Sequence, residues 1–180
     1  MVNKNFTPFP ILTTERLTLR QLSADDQQDI FALRSDTAIN KYLSRAPSKT
    51  IEDAANFINK INDSIQKNHS IYWVITLTNT NTFVGTICLF DFSAEKSSCE
   101  IGYELITKFQ SQGIMKEATA EVIAYAFQIL QFQKIVAFTH NENHHSTKLL
   151  TKLNFLQSLD INKENPDYTI FTLTNTNWQR

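Results

Sequence analysis

Glycine and proline are scarce in this 180-residue chain, at 3 and 4 residues. Little therefore interrupts its secondary structure, and no Gly/Pro/Ser-rich linker divides it, so one domain over residues 1–180 is expected. The two cysteines, Cys88 and Cys99, are too few for a disulfide scaffold. Both stand in apolar, strand-like runs and read as buried free thiols, consistent with a reducing cytoplasm. Neither sign of charge dominates: 17 Lys and Arg oppose 18 Asp and Glu, a formal net charge of -1. Without a dense basic block, extended binding to nucleic acid or to an anionic membrane is excluded. No apolar run approaches the ~20 residues that span a bilayer, and residues 1–10 hold no apolar export core. The partner expected is a small molecule or a local peptide end. What the chain does have is a 42% hydrophobic content with 13 Phe, enough for a substantial core.

The pattern of that content orders the elements. Arg16 to Leu22 alternates polar and apolar residues, as a half-buried strand does. Ser23-Ala24-Asp25-Asp26 and Thr50-Ile51-Glu52-Asp53 each place a hydroxyl three residues before an acid, a capping-box start for two helices. Ile71 to Leu77 and Thr82 to Phe90 flank Asn79-Thr80-Asn81 and predict a hairpin, and the Glu100 run adds the next antiparallel strand. Apolar residues from Ile114 to Leu130 leave little polar face, which predicts one long helix packed on a sheet. Lys134 to Thr139 then reads as a strand, Ser146 to Leu153 as a helix, and Leu156 to Leu159 with Tyr168 to Leu173 as closing strands. The fold class expected is α/β (α+β): a mixed, mostly antiparallel sheet of about seven strands with helices on both faces.

The most specific stretch is Gln110-Ser111-Gln112-Gly113-Ile114-Met115-Lys116, a polar loop with one glycine ahead of the long helix. A helix start carries unpartnered N–H groups and partial positive charge, so it holds phosphate without a basic side chain. Cys99-Glu100-Ile101-Gly102-Tyr103-Glu104-Leu105-Ile106 precedes it, Asn143-His144-His145-Ser146 follows the helix, and Thr14-Glu15-Arg16-Leu17-Thr18-Leu19-Arg20 opens the series. In order and content these motifs resemble the GNAT superfamily of acetyl-CoA-dependent N-acetyltransferases, and within it the branch that acetylates ribosomal-protein N-termini. The family's phosphate loop, Gln/Arg-x-x-Gly-x-Gly/Ala, is matched by Gln110, Gly113 and Met115. Met115 departs from the small residue at its position, so its side chain must turn away from the pyrophosphate.

The resemblance implies acetyl-CoA as cosubstrate, held by Gln110, Ser111, Gln112, Gly113, Ile114, Met115 and Lys116. It adds the backbone of Leu105 and Ile106 at the splayed strands, and Asn143. It implies a primary amine as acceptor, and monomer and two-fold homodimer both stand open. Strand geometry sets Glu100, Gly102 and Glu104 on one face and Ile101, Tyr103 and Leu105 on the other. Glu100 matches the family's general base, with Glu104 its competitor nearer the strand end. Many members protonate the departing thiolate with a Tyr at a position that here matches Leu150, so Ser146 becomes the candidate donor. Those two departures leave room for a CoA-binding module without turnover.

His140, His144 and His145 do not make a metal site by spacing, since His140 falls at a strand end and the other two at a helix start. Glu117 reads as a helix-dipole partner. Asp36 to Ser48 and Asn162 to Asp167 are expected to line the acceptor site. Lys41-Tyr42-Leu43-Ser44-Arg45, being basic and aromatic, points to a protein or peptide N-terminal amine over a polyamine, with a small-molecule amine as the alternative.

Overall fold

Eight strands form one sheet in the order β1-β2-β3-β4-β5-β6-β8-β7 in the computed structural model, which describes residues 4–159, 162 and 165–178. The strands are β1 (Leu12–Thr13), β2 (Leu17–Gln21), β3 (Ile71–Leu77), β4 (Thr82–Ser93), β5 (Ser98–Leu105), β6 (Lys134–His140), β7 (Leu156–Gln157) and β8 (Tyr168–Thr174). All neighbours are antiparallel except β5 and β6. The strand beyond the expected count is β1, whose two residues pair Leu12 with Leu19 and are too few to show a periodicity.

Both capping boxes form. Ser23 closes one around Asp26, opening a short 3₁₀ turn that runs into α1 (Gln27–Ser35). Thr50 closes the other around Asp53, opening α3 (Ile51–Gln66), with Thr50 Oγ1 accepting from the Asp53 N–H at 3.2 Å. Between them Asp36 caps the four-residue α2 (Thr37–Asn40), accepting from the amides of Ala38 and Ile39 at 2.7 and 3.0 Å. Ile30, Leu33, Ala54, Ile58 and Ile65 are the buried faces of α1 and α3, and Phe57 meets Tyr72 of β3 edge-on at 5.7 Å.

On the opposite face lies α4 (Ile114–Ala124), which contributes Ala118, Val122 and Ile123 to the core. The expected single helix through Leu130 instead widens to a π turn over Tyr125–Ile129, where the Leu130 N–H reaches the Tyr125 carbonyl at 3.1 Å. The wider turn seats both aromatics, Tyr125 against Trp73 and Phe127 against Trp178, each 5.6 Å between centroids. Last comes α5 (His144–Lys152), capped by Asn143.

Candidate active site

Strands β5 and β6 are parallel neighbours over only three pairs, Ser98 with Lys134, Cys99 with Ile135 and Glu100 with Val136. Beyond Glu100 they part, and a cleft of about 530 Å³ passes through the fork. Antiparallel partners alternate between facing each other and facing away. Since the Ile106 N–H is bonded to the Val84 carbonyl at 2.9 Å, the amides of Tyr103 and Leu105 turn from β4 toward the fork. This corrects the expectation that Ile106 offers its N–H to a ligand: Leu105 and Tyr103 are the donors available there.

Glu100 stands where the fork opens, on the wall shared with Phe90 and Asp91. Burial, reinforced by the Asp91 charge, pushes its carboxyl up to about 7. Asp91 takes a left-handed backbone (φ 49) beside the irregularity that breaks β4–β5 pairing after Phe90, and this aims it into the same cleft. Glu104, on the same face, is gripped end-on by Arg45, with Arg45 Nη2 to Glu104 Oε2 at 2.8 Å and a parallel contact from Nη1 to Oε1. Arg45 is itself oriented by Asn40 Oδ1, 2.9 Å from its Nε. Both Glu104 oxygens are thereby taken up by the guanidinium, whereas Glu100 has no ion pair among the described residues.

The opposite wall belongs to α5. Ser146 Oγ lies 2.9 Å from the Tyr103 hydroxyl, and Asn143 Oδ1 accepts from the Ser146 N–H at 3.2 Å. Burial pushes the Tyr103 phenol up to about 12, against a lowering by Ser146, so it keeps its proton at neutral pH. Leu150 is fully buried in the core, so Ser146, one turn earlier, is what α5 presents to the cleft. The Tyr103 hydroxyl went unassigned in the sequence because its partner lies 43 positions away. The Ile-Gly-Tyr run itself was the available signal.

A strap from residue 41 to 48 brings Tyr42, Leu43 and Ser44 to the cleft. The Tyr168 hydroxyl donates to the Tyr42 carbonyl at 2.8 Å, and the Tyr42 and His140 rings lie 5.2 Å apart. Asn162 and Asn165 also line the cleft, while residues 163 and 164 of the expected lining lie outside the described residues. The strap's basic character does not reach the site as expected. Arg45 is spent on Glu104, and Lys41 is exposed with its ammonium over the Tyr42 ring at 4.7 Å. Among the described residues, the carboxylates lining the cleft are Asp91 and Glu100, and no Lys or Arg lines it. His140 is packed between Tyr42 and Tyr168, and no group of three potential metal ligands occurs among the described residues.

The loop before α4 fits a phosphate. Gly113 is left-handed (φ 78) at the N-cap, and no side chain caps the helix. Met115 is buried in the core, so its bulk leaves the first turn open. Ser111, Gln112 and Lys116 are exposed, Ile114 is buried, and Gln110 turns inward to donate to the Leu105 carbonyl at 3.2 Å, bracing loop against strand end. Glu117 does more than face a dipole: it accepts from the Arg16 side chain at 2.7 Å and from the Arg16 N–H at 3.0 Å.

A sheet forked beside a glycine-capped helix, with a carboxylate and a hydroxyl on the two walls of the fork, is the framework of an acyl-group transferase. Comparison with known proteins makes the family definite. The profile of the Acetyltransferase (GNAT) domain matches residues 16–156, and the chain belongs to that family, whose members use acetyl-CoA. It is 33% identical over 147 residues to YoaA of Bacillus subtilis (strain 168), named as an uncharacterized N-acetyltransferase, covering 82% of this chain and 83% of that one. The spermidine N-acetyltransferase of Vibrio cholerae, solved with CoA and spermine, superposes with a TM-score of 0.79 at 20% identity, covering 91% of this chain and 98% of its own. The ribosomal-protein-S5-alanine acetyltransferase of Vibrio fischeri gives 0.77 at 19%, covering 95% and 100%. Two acceptor classes thus share this fold about equally well. Among the described residues no helix is long and apolar enough to cross a membrane.

Proposed function

We propose that this chain transfers the acetyl group of acetyl-CoA to the N-terminal amine of a peptide or protein, in the fork between β5 and β6. The observation that carries the reading is Glu100, a cleft carboxylate held near 7 with no cation forking it among the described residues. A base works best when its pKa is close to that of the group it deprotonates. A peptide α-amine ionises at about 7.7–8.0, within a unit of Glu100, whereas an alkyl amine such as a lysine's lies near 10.4 and would yield its proton uphill. The two carboxylates among the described cleft residues also suit one ammonium better than the several charges of a polyamine.

Acetyl-CoA supplies the acetyl thioester, and the remaining roles fall to the chain. Glu100 takes the proton of the acceptor ammonium, leaving the neutral amine as nucleophile. The Tyr103 and Leu105 amides face the fork, where they can stabilise a developing oxyanion. Ser146, hydrogen-bonded to Tyr103, is the hydroxyl that protonates the departing sulfur as the C–S bond breaks, and it is reprotonated by the second proton that the attacking nitrogen sheds on becoming an amide. Residues 110–116 hold the phosphates at the start of α4, and Asn143 orients Ser146. A single domain over residues 1–180 belongs to the reading, supported by one sheet running from Leu12 to Thr174. So does a cytoplasmic location, supported by the free Cys88 and Cys99.

A cationic small amine is the second reading, favoured by the Asp91 charge beside Glu100. Mass analysis after incubation with acetyl-CoA separates the two. Short peptides with neutral or apolar first residues should gain one acetyl group at the N-terminus, and spermidine should be at least tenfold slower. Rapid acetylation of spermidine with untouched peptides would overturn the acceptor and leave the acetyltransferase standing.

A further inference from the structure

Next to the loop of residues 110–116 lies a cation whose position the cradle alone does not explain. Arg16, just ahead of β2, extends its guanidinium along the start of α4. Nε donates to Glu117 Oε2 at 2.7 Å and Nη1 donates to the Gln112 carbonyl at 3.1 Å. The backbone N–H of Arg16 is bonded to Glu117 Oε1 at 3.0 Å, and Thr14 Oγ1 donates to that same oxygen at 2.5 Å. The third guanidinium nitrogen, Nη2, has no hydrogen-bond partner among the described residues. It stands 3.4 Å from where a Cβ on Gly113 would be, directly against the open N-cap of α4.

A guanidinium is planar, so fixing two of its nitrogens fixes the direction of the third. Glu117 and Gln112 thereby hold Nη2 beside a helix start that already favours anions through its free N–H groups. The half-exposed side chain keeps Nη2 reachable from solvent.

We infer that Arg16 is a phosphate-binding residue, its Nη2 supplying the charged contact to a CoA phosphate at the start of α4. The inference rests on the placement of the cofactor at residues 110–116. Loss of one charge-assisted contact costs roughly a factor of ten or somewhat more in affinity.

The test is calorimetric titration of wild type, Arg16→Gln, Arg16→Lys and Gly113→Val with CoA and with dephospho-CoA, together with kcat/KM on S-acetylpantetheine, which lacks every phosphate. Arg16→Gln should weaken CoA about tenfold while kcat/KM on S-acetylpantetheine changes less than twofold, and Arg16→Lys should fall between. An equal loss with dephospho-CoA assigns the contact to the pyrophosphate, and a loss confined to CoA assigns it to the 3′-phosphate. Either supports the inference. Unchanged CoA affinity in Arg16→Gln, with Gly113→Val weakened, overturns Arg16 alone, as does an equal loss on S-acetylpantetheine. Unchanged affinity in both variants removes the cradle itself.

Discussion

Replacing Glu100 by Gln is expected to lower kcat about 100-fold or more near pH 7.5 and to leave acetyl-CoA affinity within about twofold, the signature of a lost general base. Wild-type activity should climb as pH rises through about 7, because only the ionised carboxylate accepts a proton and burial, with Asp91, holds Glu100 protonated below that point. The variant should lose this limb and recover only where the α-amine is itself neutral, above about 8. Its stability should move the other way. A carboxyl raised in the folded state contributes stability that is complete below its ordinary pKa and is lost as pH rises through about 7. Gln removes that loss, so Glu100→Gln should melt higher than wild type at pH 8 and show little difference at pH 4. The gain is about 1–2 kcal/mol after allowing for screening of a partly exposed group, or roughly 2–6 °C. A variant with wild-type kcat and an unaltered acid limb would take Glu100 out of the reaction, whatever its melting point.

The second large effect belongs to Gly113→Val, which should weaken acetyl-CoA roughly 30- to 100-fold by calorimetry. Two causes act together. At φ 78 a β-branched residue is strained, so the loop shifts to relieve it, and the new side chain meets Arg16 Nη2, whose distance to even a bare Cβ would be 3.4 Å. The strain also costs stability, about 1–2 kcal/mol, so affinity should be measured well below the melting transition. Binding equal to wild type would place the phosphates elsewhere.

Which parts of this site could be read in the chain follows from how far apart the partners lie. The helix starts at Ser23 and Thr50 were legible because a capping box is complete within four residues. The faces of β5 were legible because alternation is local: Glu100 and Glu104 do share one face, and Tyr103 does point to the other. Which way the Ile106 amide turns depends on pairing with Val84, so of the expected pair only the Leu105 amide is left facing the fork, joined there by that of Tyr103. The charge of the strap misled for the same reason. Arg45 is free in the sequence and finds Glu104 59 positions away. Arg16 and Glu117, 101 positions apart, leave no mark that either could carry alone. The π turn at Tyr125 arises where two aromatic residues meet Trp73 and Trp178, contacts that helical periodicity does not encode.

Titration of free thiol during incubation with acetyl-CoA and a panel of short peptides tests the central claim most directly, because the claim is turnover and not binding alone. CoA should be released in step with acetylated peptide, one thiol per acetyl group, and Glu100→Gln should slow both together. Tight acetyl-CoA binding with no thiol released for any amine offered would contradict it, and would make this chain a CoA-binding module built on an acetyltransferase fold.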